Sequence, residues 1–243
     1  MIYMVYCKIK MQTAEGLQRF CKHYRLKLAV PAVPPADRQN YKAVRTFRKK
    51  VSEKMEKLTL KEAKRINDTM MTEKYLQRHV MSVSACMGAM AEYFGEDKEH
   101  WEAVGYLHDY DYEKYPEEHL KHTEKELLAE GVPAEDVRAI MSHGYGICTD
   151  VEPVTNMEKC LFTVDGLSGI IRAAARMRPN GIYDMDIQSF MKKFKNKGFA
   201  AKCDRGHILR GCEMLGMDVK DVAEIVIKGM KAHAEELGLG GDR

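Results

Sequence analysis

The chain has 243 residues, 45% hydrophobic and 31% charged, with a formal net charge of +3, a composition that fits one sizeable globular domain with or without an appendage. It contains no run near the roughly 20 apolar residues of a membrane-spanning helix, and its opening MIYMVYCKIKM lacks the form of a secretory signal, which argues against a membrane role. Seven cysteines without a CxxC pair read as reduced thiols, mostly small buried hydrophobes, in a cytoplasmic protein.

Charge divides the chain. Residues 1–65 carry 17 Lys and Arg against 5 Asp and Glu, a net of +12, and residues 66–243 carry 22 against 31, a net of −9. The split predicts a basic, mainly helical N-terminal extension over 1–65 and a separate helical domain over 66–243. Opposite charges attract, so the extension is expected to pack on the acidic domain or on a second subunit, with a homodimer left open. No nucleic-acid-binding motif accompanies the basic residues, and specific nucleic-acid binding is not expected.

Along the extension, Ile2 to Ile9 reads as a short strand or an irregular start. Glu15 to Leu28 reads as a basic helix, and VPAVPPAD as a turn or linker. From Arg38 to Asp68 a charged helical stretch has Val44, Phe47, Val51, Met55 and Leu58 on one stripe.

The domain has a clearer pattern. Thr72 is placed to cap a helix running to about Phe94, and Leu76, Val80, Val83, Met87, Met90 and Phe94 repeat at threes and fours along it. His79 falls near that stripe and Gly95 ends the helix. Asp97 can cap the next one, on which Trp101, Val104, Gly105 and His108 share a face and Asp109 follows at the end. Pro116-Glu117-Glu118 reads as the start of a further helix with His119 in its first turn, stopping at Gly131. Pro133 to Asp136 opens another that ends at His143-Gly144, before a loop to Pro153. Thr155-Asn156-Met157-Glu158 is a capping box, and the helix it opens carries Leu161, Val164, Asp165, Ser168 and Ile171 on one face. Arg178 to Gly181 is a turn. Helical segments near 185–196, 204–215 and 218–237 follow, and the tail GLGGDR is expected to fray. The pattern predicts an all-α fold, with helices packed around a shared interior.

His79, His108, Asp109, His119, His143 and Asp165 therefore fall on inward faces or helix ends. A histidine there is ordinarily a satisfied core residue, but a buried carboxylate needs a partner. Four imidazoles and two carboxylates resolve each other's burial by holding a first-row divalent ion such as Mn, Fe, Co, Ni or Zn. Without a cysteine nearby, a structural zinc site is disfavoured.

The order His79, His108-Asp109, His119, His143, Asp165 resembles the HD superfamily of metal-dependent phosphohydrolases. The stretches EEHLKHTEKELLAEGVPAEDVRAIMSHG and MEKCLFTVDGLSGII are similar to segments of bacterial HD hydrolases, the second to those of the HD-type diadenosine tetraphosphate hydrolases. The likeness covers roughly residues 70–235 and leaves residues 1–65 unmatched. Tyr110-Asp111-Tyr112 stands where the cyclic-di-GMP phosphodiesterases of the HD-GYP group carry Gly-Tyr-Pro. The Arg-rich ending of the tetraphosphate hydrolases is also not closely followed, since Gly169-Ile170-Ile171 precedes Arg172.

The resemblance implies an HD-domain helical bundle in which His79, His108, Asp109 and Asp165 hold one metal. His119 and His143 would add a second, with Asp109 bridging. His122 competes with His119, and His119 fits the family spacing better. One or two divalent ions, Mn, Fe, Co, Ni, Mg or Zn, would activate a water against a nucleotide or other small phosphate ester. Asp109 would orient or deprotonate that water, and Lys114 or Arg172 would offset phosphate charge. Two other readings share the ligand set: a di-iron oxygenase, and a binding module with a vestigial metal site.

Overall fold

Helix α1 (Leu60–Asn67) starts where the Thr59 hydroxyl accepts a bond from the Glu62 amide. It begins a computed structural model that describes residues 56–241. The expected strand, first helix, proline turn and Val44–Met55 stripe lie outside the described residues. The single helix expected from Arg38 to Asp68 does not run through 56–59, because Thr59 is extended and caps a new start. Leu58, Ala63 and Ile66 are fully buried, so α1, which crosses the expected boundary at residue 65, belongs to the same core as the residues after it.

The described residues are all helix, turn or loop, with one isolated bridge between Tyr145 and Thr149. After α1 come α2 (Lys74–Phe94), α3 (Lys98–Leu107), a 3-10 turn (Pro116–Glu118), α4 (Thr123–Glu130) and α5 (Ala134–Ser142). Then follow α6 (Asn156–Ala175), α7 (Ile187–Lys195), α8 (Arg205–Leu215) and α9 (Val219–Ala232). Helix α2 packs against α3, α6 and α9, which is why it is apolar around most of its circumference. The stripe Val80, Val83, Met87, Met90 is fully buried, and each such side chain contributes roughly 1.5–3 kcal/mol. Helix α8 lies on α6, and α4 and α5 pair beside α6. No helix among the described residues is long and apolar enough to cross a membrane.

Local chemistry agrees with the sequence at most helix starts. Asp97 caps α3, and Thr155 with Glu158 forms the capping box of α6. Three expectations are corrected. Thr72 does not cap α2. Its amide and hydroxyl, with the Glu73 amide, bond to the Glu113 carboxylate at 2.8–2.9 Å, so an acid from the loop after α3 serves the positive helix end instead. The helix expected from Pro116 is only a 3-10 turn, broken at His119 and at Leu120, whose φ is +66°. The tail is held over its described residues: the Ile182 amide bonds to the Leu239 carbonyl at 2.8 Å, and Leu237 and Leu239 are buried. Gly181 makes this possible, since a Cβ there would collide with the Leu239 carbonyl oxygen.

The approach of α2 to α3 sets the position of everything that follows on α3. A Cβ on Gly105 would lie 2.8 Å from Met87 Cγ and 3.1 Å from Ser84 Cα. Gly105→Ala should therefore wedge the two helices and lower stability by about 1–3 kcal/mol. A urea midpoint that falls at unchanged slope is the expected readout, and an unmoved midpoint would show that the helices have room to spare.

Candidate metal centre

Two carboxylates and four imidazoles meet where α2, α3, α5 and α6 come together. His79 projects from the second turn of α2, His108 closes α3, and Asp109 follows it. His143 closes α5, and Asp165 sits midway along α6. His119 comes from the break between the 3-10 turn and α4. Had the helix run on from Pro116, as the sequence predicts, His119 would have followed its rotation. The extended backbone at His119 and the left-handed one at Leu120 turn it inward instead.

The geometry is organised by Asp109. Its Oδ2 lies 3.4 Å from Nε2 of both His79 and His108. Its Oδ1 lies 3.4 Å from His119 Nε2 and 3.7 Å from His143 Nε2. Asp165 Oδ1 closes the first group, 3.0 Å from His79 and 3.7 Å from His108. The six residues thus fall into three overlapping clusters of potential metal-ligating atoms: His79 with His108 and Asp109, His108 with His143 and Asp165, and Asp109 with His119 and His143.

Three features fit this set to a cation. Ligand bonds of about 2.0–2.2 Å place neighbouring ligand atoms about 2.8–3.6 Å apart, close to the separations found. The imidazoles are also oriented from behind. His108 Nδ1 donates to the Gly105 carbonyl at 2.8 Å, His143 Nδ1 to the Ile140 carbonyl at 2.6 Å, and His119 Nδ1 to Asp111 Oδ1 at 2.8 Å. In the neutral rings each Nε2 is then a bare lone pair aimed into the centre. His119 Nε2 and His143 Nε2 are 3.2 Å apart, and two lone pairs that close repel unless a positive ion lies between or beside them. Third, buried His108 Nε2 has no hydrogen-bond partner, and a buried polar atom left so needs an explanation.

Charge follows the same logic. Burial alone would push the Asp109 carboxyl up, but the His108 charge and the close imidazoles of His108, His143 and His79 hold it well below the usual range. Asp165 is likewise held down against its burial by His108 and His79. Burial opposes the charged form of His79, yet its bonds to Asp109 and Asp165 hold it at about 8. His108 is held well above the usual value by the same two carboxylates, against burial. The centre thus demands positive charge, from protons when nothing else supplies it.

Asp111, which sequence reasoning passed over, is completely buried. Besides orienting His119 it accepts the Leu120 amide at 3.1 Å, and so pins the strained turn that aims the imidazole. The visible signal was a third acid two residues after Asp109, in front of a histidine. His122 turns away, to Glu118 at 3.0 Å and onto the Tyr115 ring.

The two expected cations have other partners. Lys114 is exposed and donates to the Thr69 carbonyl at 3.0 Å, beside the Met70 sulfur. Arg172 is buried and bonds to the Arg78 carbonyl and, at 2.7 Å, to Ser82 Oγ, bracing α6 against the helix that carries His79. Lys121 instead lines a cleft of about 690 Å³ with His119, Tyr112 and Cys148. Of the described cysteines, Cys86, Cys160 and Cys212 are buried, Cys203 is half-buried and Cys148 is exposed. No family model, curated protein or solved structure matches the chain.

Metal must displace the protons held on the histidines, so affinity should weaken as pH falls through about 8, the value of His79, by about tenfold per pH unit for each proton displaced. Calorimetric titration with Mn in buffers of different ionisation enthalpy reads both affinity and proton release. Affinity that does not change between pH 6.5 and 8.5 would be incompatible with these histidines as ligands. Asp111→Asn should keep the fold but weaken metal affinity about 10- to 100-fold. Equal affinity in variant and parent would show that Asp111 does not orient His119.

Proposed function

We propose that the protein is a metal-dependent phosphohydrolase of the HD type, acting on a nucleotide or another small phosphate ester. The observation that carries this reading is the division of Asp109, one oxygen toward His79 and His108 and the other toward His119 and His143. A carboxylate so placed between two imidazole pairs suits two divalent ions side by side. One or two ions of the Mn, Fe, Co, Ni, Mg or Zn kind would supply an acidified water as nucleophile and a positive charge for phosphoryl oxygens.

The chain's own residues account for the rest. Asp109 and Asp165 stay ionised across the working pH range, so their oxygens remain acceptors. Asp109 Oδ1 and Oδ2 can orient a water held between the two histidine groups and accept its proton. Of the six side chains Asp165 is the most exposed, at 33%, while His108 is sealed at 0%, so a substrate comes in over Asp165 and His79 rather than through α3. Lys121 brings a positive charge to the cleft beside His119.

A panel of phosphate esters assayed with Mn, Co, Ni, Mg and Fe, with and without dioxygen, tests the reading. Release of phosphate independent of dioxygen is expected. Turnover that requires dioxygen, without phosphate release, would replace the proposal with the oxygenase reading. Asp109→Ala should lower hydrolysis at least about a hundredfold with the circular dichroism of the helices unchanged, since apolar stripes hold the core. Retention of most activity at saturating metal would remove Asp109 from the catalytic centre.

A further inference from the structure

The open side of the centre, at Asp165, is bordered by α8 and by the segment leading into it. From Lys192 to Arg210 the chain carries seven Lys and Arg and a single acid, Asp204, within a region that is otherwise net acidic. Arg205 shapes the segment by donating to the carbonyls of Phe194, Asn196, Phe199, Ala200 and Cys203. The segment then crosses α6 close to the metal centre. Cys203 Sγ would lie 3.3 Å from a Cβ on Gly169, one turn beyond Asp165.

His207 is in the first turn of α8. Its ring stacks on Phe162, with centroids 3.7 Å apart and planes at 25°. Phe162 precedes Asp165 by three residues on α6, so the two share a face and stand one turn apart. The imidazole is half-buried, and neither ring nitrogen has a hydrogen-bond partner among the described residues. It is close enough to Asp165 and His143 to feel their charges. Burial first, and then Arg210, keep it below its usual value and hence neutral, a state with one N–H to donate. Arg210 stands over the same Phe162 ring, 5.0 Å from its centroid, and over Tyr145 at 5.5 Å. Among the described residues its one hydrogen bond is to the Tyr145 carbonyl at 3.1 Å, and none of their carboxylates pairs with it.

An imidazole without a partner and a guanidinium without a counter-charge, on one aromatic floor beside the exposed ligand, are complementary to an anion. We propose that His207 and Arg210 bind the phosphoryl group of the substrate, and that the substrate class is a phosphate monoester presenting a terminal dianionic phosphate. This rests on the phosphohydrolase reading and gives it a substrate-contacting wall. His207 donates its N–H to a phosphoryl oxygen, Arg210 offsets the second negative charge, and the basic segment before them draws polyanions toward the opening. A diester with one negative charge would forgo much of the Arg210 contribution.

Binding of inorganic phosphate to the Mn-loaded full chain, followed by calorimetry, tests the proposal without relying on turnover. His207→Phe keeps a ring to stack on Phe162 and removes the N–H, and Arg210→Gln removes the charge. Each should weaken phosphate at least about tenfold with Mn affinity unchanged, and dimethyl phosphate should bind the parent more weakly than phosphate does. If the parent binds phosphate and both variants bind it equally well, His207 and Arg210 are parts of the scaffold and the proposal falls while the hydrolase reading stands. Equal binding of dimethyl phosphate would overturn the monoester class. If the Mn-loaded parent neither binds phosphate nor releases it from any ester, the hydrolase reading falls and takes the proposal with it.

Discussion

The structure turns on the burial of negative charge at Asp109. A carboxylate that loses water must recover the lost solvation from its neighbours or be neutralised. Here it recovers it from four imidazoles, two on each oxygen. That arrangement constrains the histidines in turn. Three of them have their outer nitrogen tied to Gly105, Ile140 or Asp111, so that the inner nitrogen faces the carboxylate. Each tether is short, and two of the three are carbonyls of the helix that ends at the histidine itself. The helix ends are thus part of the centre: a carbonyl of the last turn becomes the acceptor that fixes a ring.

Holding four helices around such a point requires bracing that is not itself chemical. Gly105 lets α3 close on α2, and Glu113 satisfies the start of α2 from the loop after the His-Asp pair. Arg172 ties α6 to α2 through the Arg78 carbonyl and Ser82. Buried Asp136 joins α5 to α3 through His100 at 2.6 Å and reaches the Leu58 amide at 3.4 Å. These contacts surround the centre and leave its exposed side at Asp165, where the basic residues before and on α8 are found. Rigid support on the closed side and cations on the open side are what a site for a small anion needs.

The helical architecture was legible in the sequence because it depends on periodicity, and periodicity is local. The stripe from Val80 to Met90, the Asp97 cap and the capping box at Thr155 are patterns within a few residues, and each forms as read. The inward phase of His79 and Asp165 was legible for the same reason. At Thr72 the local reading failed, because a carboxylate 41 residues away serves the helix start better than the threonine does. At Pro116 it failed because the buried Asp111 carboxylate holds the turn after the proline in a conformation that helix propensity opposes.

What the sequence alone determined is therefore most of the helices among the described residues and the six metal-compatible side chains on their inner faces and ends. What only the tertiary structure decided is how those side chains are shared: which oxygen of Asp109 meets which histidine, that His119 and not His122 is turned inward, and that Lys114 and Arg172 are bound to the scaffold while His207 and Arg210 have no acidic partner among the described residues. It also decided that the tail, polar and glycine-rich in sequence, is fastened by Leu239 to Ile182. The reason is common to all of these. Helical phase fixes the direction of a side chain from its own neighbours, whereas its partner is chosen by the desolvation of charges brought together from distant parts of the chain, and that balance exists only once the helices have packed.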